Sequence, residues 1–218
     1  MAKPSRISGL YAITPQCADT GALLDRVRLA LEGGARLVQY RDKSDDVALR
    51  FEQASELLVL CRHFAVPLIV NDDLRLADLA DADGVHLGRD DVSLREARLV
   101  LGRDKIIGVS CYNDLALAHA AQEGGADYTA FGSFFASPTK PGAVSASLDL
   151  LRQAKNELDI PLVAIGGITA ANATALVEAG ADALAVISAV FEAPDIRAAA
   201  AGFAELFNQS TIHKPTIH

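Results

Sequence analysis

A single (β/α)8 barrel is the fold this sequence predicts, and three observations predict it. Eight short segments rich in Val, Ile, Leu and aromatic residues recur along the 218 residues. Between most of them lie Ala- and Leu-rich stretches with apolar residues at helical spacing. Several of those stretches close on a recurring glycine motif, which reads as one repeated supersecondary unit rather than as two independent domains.

In chain order, the first strand candidate is ISGLYAIT (7–14), followed by a stretch in which Leu23, Val27, Ala30 and Leu31 share one helical face. RLVQYRD (36–42) is the second, and Leu57, Leu58 and Cys61 mark the helix after it. The third and fourth are PLIVND (67–72) and GVHLG (84–88), and the fifth and sixth are KIIGVS (105–110) and YTAFGS (128–133). PLVAIGG (161–167) and ALAVIS (183–188) complete the set of eight. Glu32-Gly33-Gly34-Ala35, Glu123-Gly124-Gly125-Ala126-Asp127 and Glu178-Ala179-Gly180-Ala181-Asp182 each sit between a helical stretch and a strand, where glycine ends a helix at little steric cost. Near-continuous apolar strands imply a parallel sheet covered by helices, and eight units favour a closed barrel over an open doubly wound sheet. The barrel is expected over residues 1–207. A flexible tail is expected over 208–218, NQSTIHKPTIH, which lacks an apolar period.

Composition narrows the function. Half of the residues are hydrophobic and 22% are charged, which fits a globular protein rather than a disordered one. A net charge of −8 argues against a nucleic-acid backbone or an anionic membrane as the main partner. Small molecules are the expected partners, and self-association to a homo-oligomer stays open. Cys17, Cys61 and Cys111 match no zinc or disulfide spacing, and no long apolar run marks a leader or membrane span, so the expected location is the cytoplasm. No G-x-G-x-x-G follows a strand and no Walker lysine motif occurs, which weakens dinucleotide and nucleoside-triphosphate readings.

In barrels of this kind the chemistry gathers at the C-terminal ends of the strands. Gln39, Arg41 and Lys43 alternate through VQYRDK, so an extended strand puts an amide and two cations on one face at the mouth. A lone Arg or Lys there would be an ordinary solvated strand end, and the alternation tips the reading only moderately. The third strand ends Asn71-Asp72-Asp73, and Arg89-Asp90-Asp91 follows the fourth. Carboxylates at neighbouring strand ends suit one hard cation, since magnesium needs only one or two of them beside water and phosphate oxygens. Asp73 or Asp90 could instead cap the next helix, so Asp72 and Asp91 are assigned to Mg2+.

Ser110 ends the fifth strand, and the sixth leads into Ser137-Pro138-Thr139-Lys140-Pro141-Gly142, a composition that suits a phosphate and equally suits a turn. Gly166-Gly167-Ile168-Thr169 and Ile187-Ser188-Ala189 follow strands seven and eight, where barrels often hold phosphate; capping by Thr169 and Ser188 is the competing explanation. His86 reads as an interior histidine, His63 and His119 as helix-face residues, and Cys111 as inert packing, because no partner at nucleophile or zinc spacing accompanies them.

Taken together, VQYRDK, IVNDD, ADGVHLGRDD, IIGVS, DYTAFGSFFASPTK, AIGGIT and VISAV resemble, in order and over nearly the whole chain, the thiamine-phosphate synthase family. The resemblance implies a (β/α)8 barrel that joins hydroxymethylpyrimidine pyrophosphate to hydroxyethylthiazole phosphate, releasing pyrophosphate. It implies that Gln39, Arg41, Lys43, Asn71, Ser110 and Lys140 contact the pyrimidine pyrophosphate, with Tyr40 and Asp42 in the same stretch, and that Asp72 and Asp91 hold magnesium. Ser137, Thr139, Gly167, Ile187 and Ser188 would receive the thiazole phosphate, with Pro138 beside them. Arg41, Lys43, Lys140 and Ser110 would be the catalytic set.

Three positions depart from the family pattern. Ser137 stands where Thr is frequent, Arg89 and Asp90 replace a frequent Gln-Glu, and Tyr112 replaces a histidine two residues past the serine. Rival readings are a thiazole tautomerase of the same superfamily, a non-catalytic thiamine-phosphate binder, and another phosphate-binding barrel. The basic strand and the Asp72/Asp91 pair speak against the first, Lys140 and both carboxylates against the second, and the N-D-D and P-T-K elements against the third.

Overall fold

The computed structural model describes residues 7–136 and 145–212. Eight parallel strands form a closed barrel in sequential order: β1 (Gly9–Ile13), β2 (Leu37–Tyr40), β3 (Leu68–Asn71), β4 (Gly84–Leu87), β5 (Ile106–Tyr112), β6 (Tyr128–Phe131), β7 (Leu162–Ile165) and β8 (Ala183–Val186). β8 pairs with β1, through Leu10 opposite Leu184, to close the ring. All eight expected strands are present. Most are shorter than the apolar runs that announced them, because the polar ends of those runs turn into the loops of the mouth.

Helices lie between the strands: α1 (Thr20–Glu32), α2 (Val47–His63), α3 (Leu74–Leu79), α4 (Leu94–Leu101), α5 (Leu115–Glu123), α6 (Leu148–Glu157), α7 (Ala173–Glu178) and α8 (Ser188–Phe191), with α9 (Ile196–Ile212) after the last strand. Their starts are written in the sequence as short polar caps. Asp19, Asp46, Asp73, Ser93, Asp114 and Ser147 each accept a first-turn N–H, satisfying donors a helix leaves orphaned. Their ends follow the repeated motif. Gly34, Gly125 and Gly180 have positive φ, and the next residue donates back to the helix, as Ala35 does to the Ala30 carbonyl at 3.0 Å and Ala126 to that of Ala121 at 2.9 Å.

Strand alternation divides the core into two layers. Inward residues, among them Tyr11, Ile13, Leu37, Ile69, Tyr128 and Val163, fill the barrel. Outward ones such as Leu10, Val38, Leu68 and Leu184 pack against Val27, Leu57, Leu151 and Leu176 of the helices. Each fully buried aliphatic side chain contributes roughly 1.5–3 kcal/mol, so these layers hold the mouth loops on a rigid base. Helix α9 runs past the boundary expected at 207 to Ile212, since extending a formed helix adds one hydrogen bond per residue even without an apolar period. Residues 213–218 of the expected tail lie outside the described residues. Among the described residues no helix is long and apolar enough to cross a membrane.

Candidate active site

The residues expected to share one face after β2 part company. Gln39 points into the barrel, 3% exposed, and its Nε2 donates to the Tyr11 hydroxyl at 2.9 Å. Tyr40, one step along, points the other way. Its hydroxyl donates to Gln53 Oε1 at 2.9 Å in the strand–helix layer, so the Tyr40 side chain is not at the mouth, as the period of two requires. The strand stops there. The Arg41 backbone is clamped by Thr14, whose hydroxyl accepts its N–H at 2.9 Å, and its guanidinium has no partner among the described residues. Asp42 braces the loop by accepting the Ser44 N–H at 2.7 Å. Lys43 reaches across to form an ion pair with Asp72.

The two carboxylates assigned to metal meet. Asp72, in the left-handed region at φ 63, and Asp91 lie close enough for their carboxyl groups to hydrogen-bond. Burial alone would lift Asp72. The hydrogen bonds from Lys43 and Asp91, with the charge of Lys43, outweigh it and hold the carboxyl below the ordinary carboxylate value. Asp91 goes the other way. Burial raises it against a 2.6 Å hydrogen bond from the Gly88 N–H, and the hydrogen bond and charge of Asp72 add to the rise. One carboxyl of the pair keeps a proton more readily because the other is ionised. Asp73 caps α3, accepting the Leu76 N–H at 2.9 Å and a bond from Arg50 at 2.6 Å. Ser93, not Asp90, caps α4. Among the described residues no group of three or more His, Cys, Asp or Glu gathers in metal-binding fashion.

Two of the departures from the family pattern touch. The Arg89 guanidinium lies 4.6 Å from the Tyr112 ring centroid, and the Arg89 N–H donates to the Tyr112 hydroxyl at 3.1 Å. A register shift between Ser110 and Tyr112 turns the end of β5 toward that contact.

Beneath the mouth, polar side chains cross the barrel interior. Ser110 Oγ is 2.9 Å from His86 Nε2, His86 Nδ1 is 3.0 Å from the Tyr128 hydroxyl, and that hydroxyl is 2.9 Å from the one on Tyr11. Gln39 completes the row. Gly108 lies between His86 and Tyr128 in the strand register. A Cβ there would come within 2.0 Å of the Tyr128 ring, so the glycine is what admits the His86–Tyr128 stack, with centroids 5.5 Å apart and planes at 15°. Burial pushes both phenols far above their ordinary values. Thr14, Tyr11 and Tyr128 went unnoticed in the sequence. Tyrosines at inward strand positions, two residues before the inward Ile13 and Ala130, were the available signal. His86 is an interior histidine as expected, and burial, with the Asp114 charge adding, pushes the Cys111 thiol up to about 12, which agrees with inert packing.

Across the mouth, the glycines after β7 admit protein backbone: a Cβ on Gly167 would meet the Ala136 and Phe135 carbonyl oxygens at 2.6 and 2.7 Å. Ile187 precedes α8 and Ser188 opens it, with no side-chain cap at that helix start. Thr169 does not cap α7 either; its N–H donates to Asn172 Oδ1 at 2.8 Å. Ser137, Pro138, Thr139 and Lys140 lie outside the described residues. Asn71 ends β3, half-buried opposite His86.

Comparison with known proteins agrees along the chain. Residues 10–190 match the family model described as thiamine monophosphate synthase. The thiamine-phosphate synthase of Thiobacillus denitrificans is 64% identical over 199 residues, covering 91% of this chain and 94% of the relative. That of Nitrosospira multiformis is 55% identical over 213 residues, covering 97% and 91%. A solved structure, the thiamine phosphate pyrophosphorylase from Pyrococcus furiosus, superposes with a TM-score of 0.85 at 35% identity, covering 94% of this chain and 97% of that one.

Proposed function

This chain belongs to the thiamine monophosphate synthase family, and from that premise we propose how its strand ends divide the work of the condensation. The enzyme is a transferase. It joins 4-amino-5-hydroxymethyl-2-methylpyrimidine pyrophosphate to hydroxyethylthiazole phosphate, giving thiamine monophosphate and pyrophosphate. A tautomerase or a non-catalytic binder is not favoured, because relatives matched over more than nine-tenths of the chain carry the synthase name.

The observation that carries the division of labour is the carboxyl pair of Asp72 and Asp91 beside Lys43, with the Arg41 guanidinium unpaired among the described residues. Two carboxyl groups at hydrogen-bonding range, one biased toward its proton, form a donor set whose repulsion a divalent cation relieves, so the residues present fit magnesium. Bound there, Mg2+ supplies positive charge to offset the charge on departing pyrophosphate. Lys43 then exchanges Asp72 for a pyrophosphate oxygen, and Arg41 and Lys140 contribute the remaining positive charge. The bond between the pyrimidine methylene and the pyrophosphate oxygen breaks, and its electron pair leaves with pyrophosphate. The thiazole nitrogen lone pair then forms the new C–N bond to that methylene. No general base is needed, so preorganised cations do most of the work.

Ser110, Gln39 and Asn71 hold the pyrimidine pyrophosphate. Ser137, Thr139, Gly167, Ile187 and Ser188 would take the thiazole phosphate; in support, the start of α8 at Ser188 has no side-chain cap.

Pyrophosphate release from both substrates, with and without magnesium and beside Asp72→Ala, tests this reading. The expected result is magnesium-dependent release matched by thiamine monophosphate, lowered at least about a hundredfold in the variant. A folded Asp72→Ala protein turning over at the wild-type rate removes Asp72 from the metal site.

A further inference from the structure

The row of side chains under the mouth has a direction. Gln39 donates through Nε2 to the Tyr11 hydroxyl, which leaves Tyr11 one proton to place. Tyr11 is 1% exposed, and among the described residues the remaining partner for that proton is the Tyr128 hydroxyl, 2.9 Å away. A buried hydroxyl proton with no acceptor is costly, so Tyr11 donates to Tyr128. Tyr128 then has its own proton to place, and His86 Nδ1 lies 3.0 Å from its oxygen. With Nδ1 accepting, the His86 ring carries its proton on Nε2. Nε2 lies 2.9 Å from Ser110 Oγ and donates to it, so the Ser110 proton is left for whatever occupies the mouth. In the opposite direction Tyr11 would accept from both Gln39 and Tyr128, and its proton would be stranded in the barrel.

We infer that Tyr11, Tyr128 and His86 are positioning residues that fix the hydrogen-bond direction beneath the site, so that Ser110 meets the pyrimidine pyrophosphate as a donor. The inference rests on the proposed placement of that substrate at Ser110. Its structural half concerns the ligand-free protein alone. Three features make the row rigid: the Tyr11 and Tyr128 rings meet edge to face with centroids 6.0 Å apart, His86 stacks on Tyr128, and Gly108 keeps the space between them open. A rigid row holds one proton arrangement where a solvated serine samples several.

Two measurements test it. Long-range 1H–15N correlation spectra of the full chain, without ligand, report which His86 nitrogen carries the proton. Nε2 is expected, and a proton on Nδ1, or on both nitrogens, overturns the assignment. Tyr128→Phe keeps the ring and removes the donor to Nδ1. His86 can then take the other tautomer and draw the Ser110 proton inward.

In that variant we expect kcat/KM for the pyrimidine pyrophosphate to fall about tenfold, with KM for the thiazole phosphate unchanged. In a Ser110→Ala background the same change is expected to have no further effect, because the proton it redirects is gone. A tenfold loss in both backgrounds makes Tyr128 merely structural and overturns the proposal. Wild-type protein that makes no thiamine monophosphate would defeat the functional reading instead, and the His86 spectrum separates the two failures.

Discussion

The two faces of the barrel treat their charges differently. At the N-terminal face, Asp83, Asp127 and Asp182, each placed just before a strand, turn back to accept an N–H at the start of the preceding strand. Leu68 donates at 2.9 Å, Ile107 at 2.7 Å and Leu162 at 2.9 Å. Cations complete two of them, Arg98 on Asp127 and Lys155 on Asp182, both at 2.7 Å. At the C-terminal face, Asp72 and Asp91 are left facing each other, Arg41 has no partner among the described residues, and Ser110 has a proton to give. The same residue type thus closes strand registers at one end and meets its own kind at the other. Charges at the N-terminal face are bonded to strand amides, whereas at the mouth Asp72 bonds Lys43 and Asp91, and Arg41 has no partner among the described residues.

The sharpest way to break this contrast is to remove one aspartate from each face. Asp72→Ala is expected to abolish turnover while costing less stability than the N-terminal change, because its carboxyl, though paired with Lys43, holds no strand amide. Asp182→Ala removes charge-assisted bonds to a strand amide and to Lys155, and is expected to lower stability by about 2 kcal/mol with kcat intact. Urea titration and steady-state kinetics on the same two proteins read both quantities. If Asp182→Ala loses turnover at full folding, or Asp72→Ala loses its fold, the division between the faces does not hold.

A smaller effect sharpens the account of the mouth. Magnesium binding requires both carboxyls ionised, so the proton favoured on Asp91 must leave when the metal arrives. Because the Asp91 value is raised, metal affinity is expected to fall as pH drops through it, by up to about tenfold per pH unit below it. Stability alone reports this poorly. The lowered Asp72 value gives stability that is present above its unfolded pKa and lost as pH falls through the folded value, while the raised Asp91 value acts with the opposite sign. Calorimetric titration of magnesium with pyrophosphate, between neutral and mildly acidic pH, is the appropriate measurement. A flat affinity across that range would mean that Asp91 is already ionised without metal.

Much of this contrast was legible in the sequence, and the boundary of legibility has a physical cause. Strands were readable because apolar runs and glycine-closed helices are local signals. That Asp72 and Asp91 come together was readable, because each closely follows a strand and two carboxylates there are unusual. Tyr40 was assigned to the ligand on its neighbours' account, although the period of two sends it to Gln53 and the helix layer. The interior row from Gln39 to Ser110 was not readable at all. It joins β2, β1, β6, β4 and β5, and depends on Gly108 facing both His86 and Tyr128, a registration that exists only once the sheet closes.

Between the two faces lies one polar group that tests whether an open valence by itself signals function. Thr129 on β6 is fully buried, and its Oγ1 has no hydrogen-bond partner among the described residues. It points outward, opposite in sense to the inward Tyr128 and Ala130, so no substrate reaches it. Thr129→Val replaces the hydroxyl by a methyl of similar size and removes the desolvation penalty of an unpaired polar atom. The expected outcome is a gain of about 1 kcal/mol in stability, seen as a higher urea midpoint at constant m, with kcat/KM unchanged. If the valine variant is instead destabilised, the hydroxyl has a partner in solution, and the strand–helix layer is as fully committed as the N-terminal face. If it gains stability, an unpaired group counts as a functional signal only where it also lies at the C-terminal strand ends, as Arg41 does.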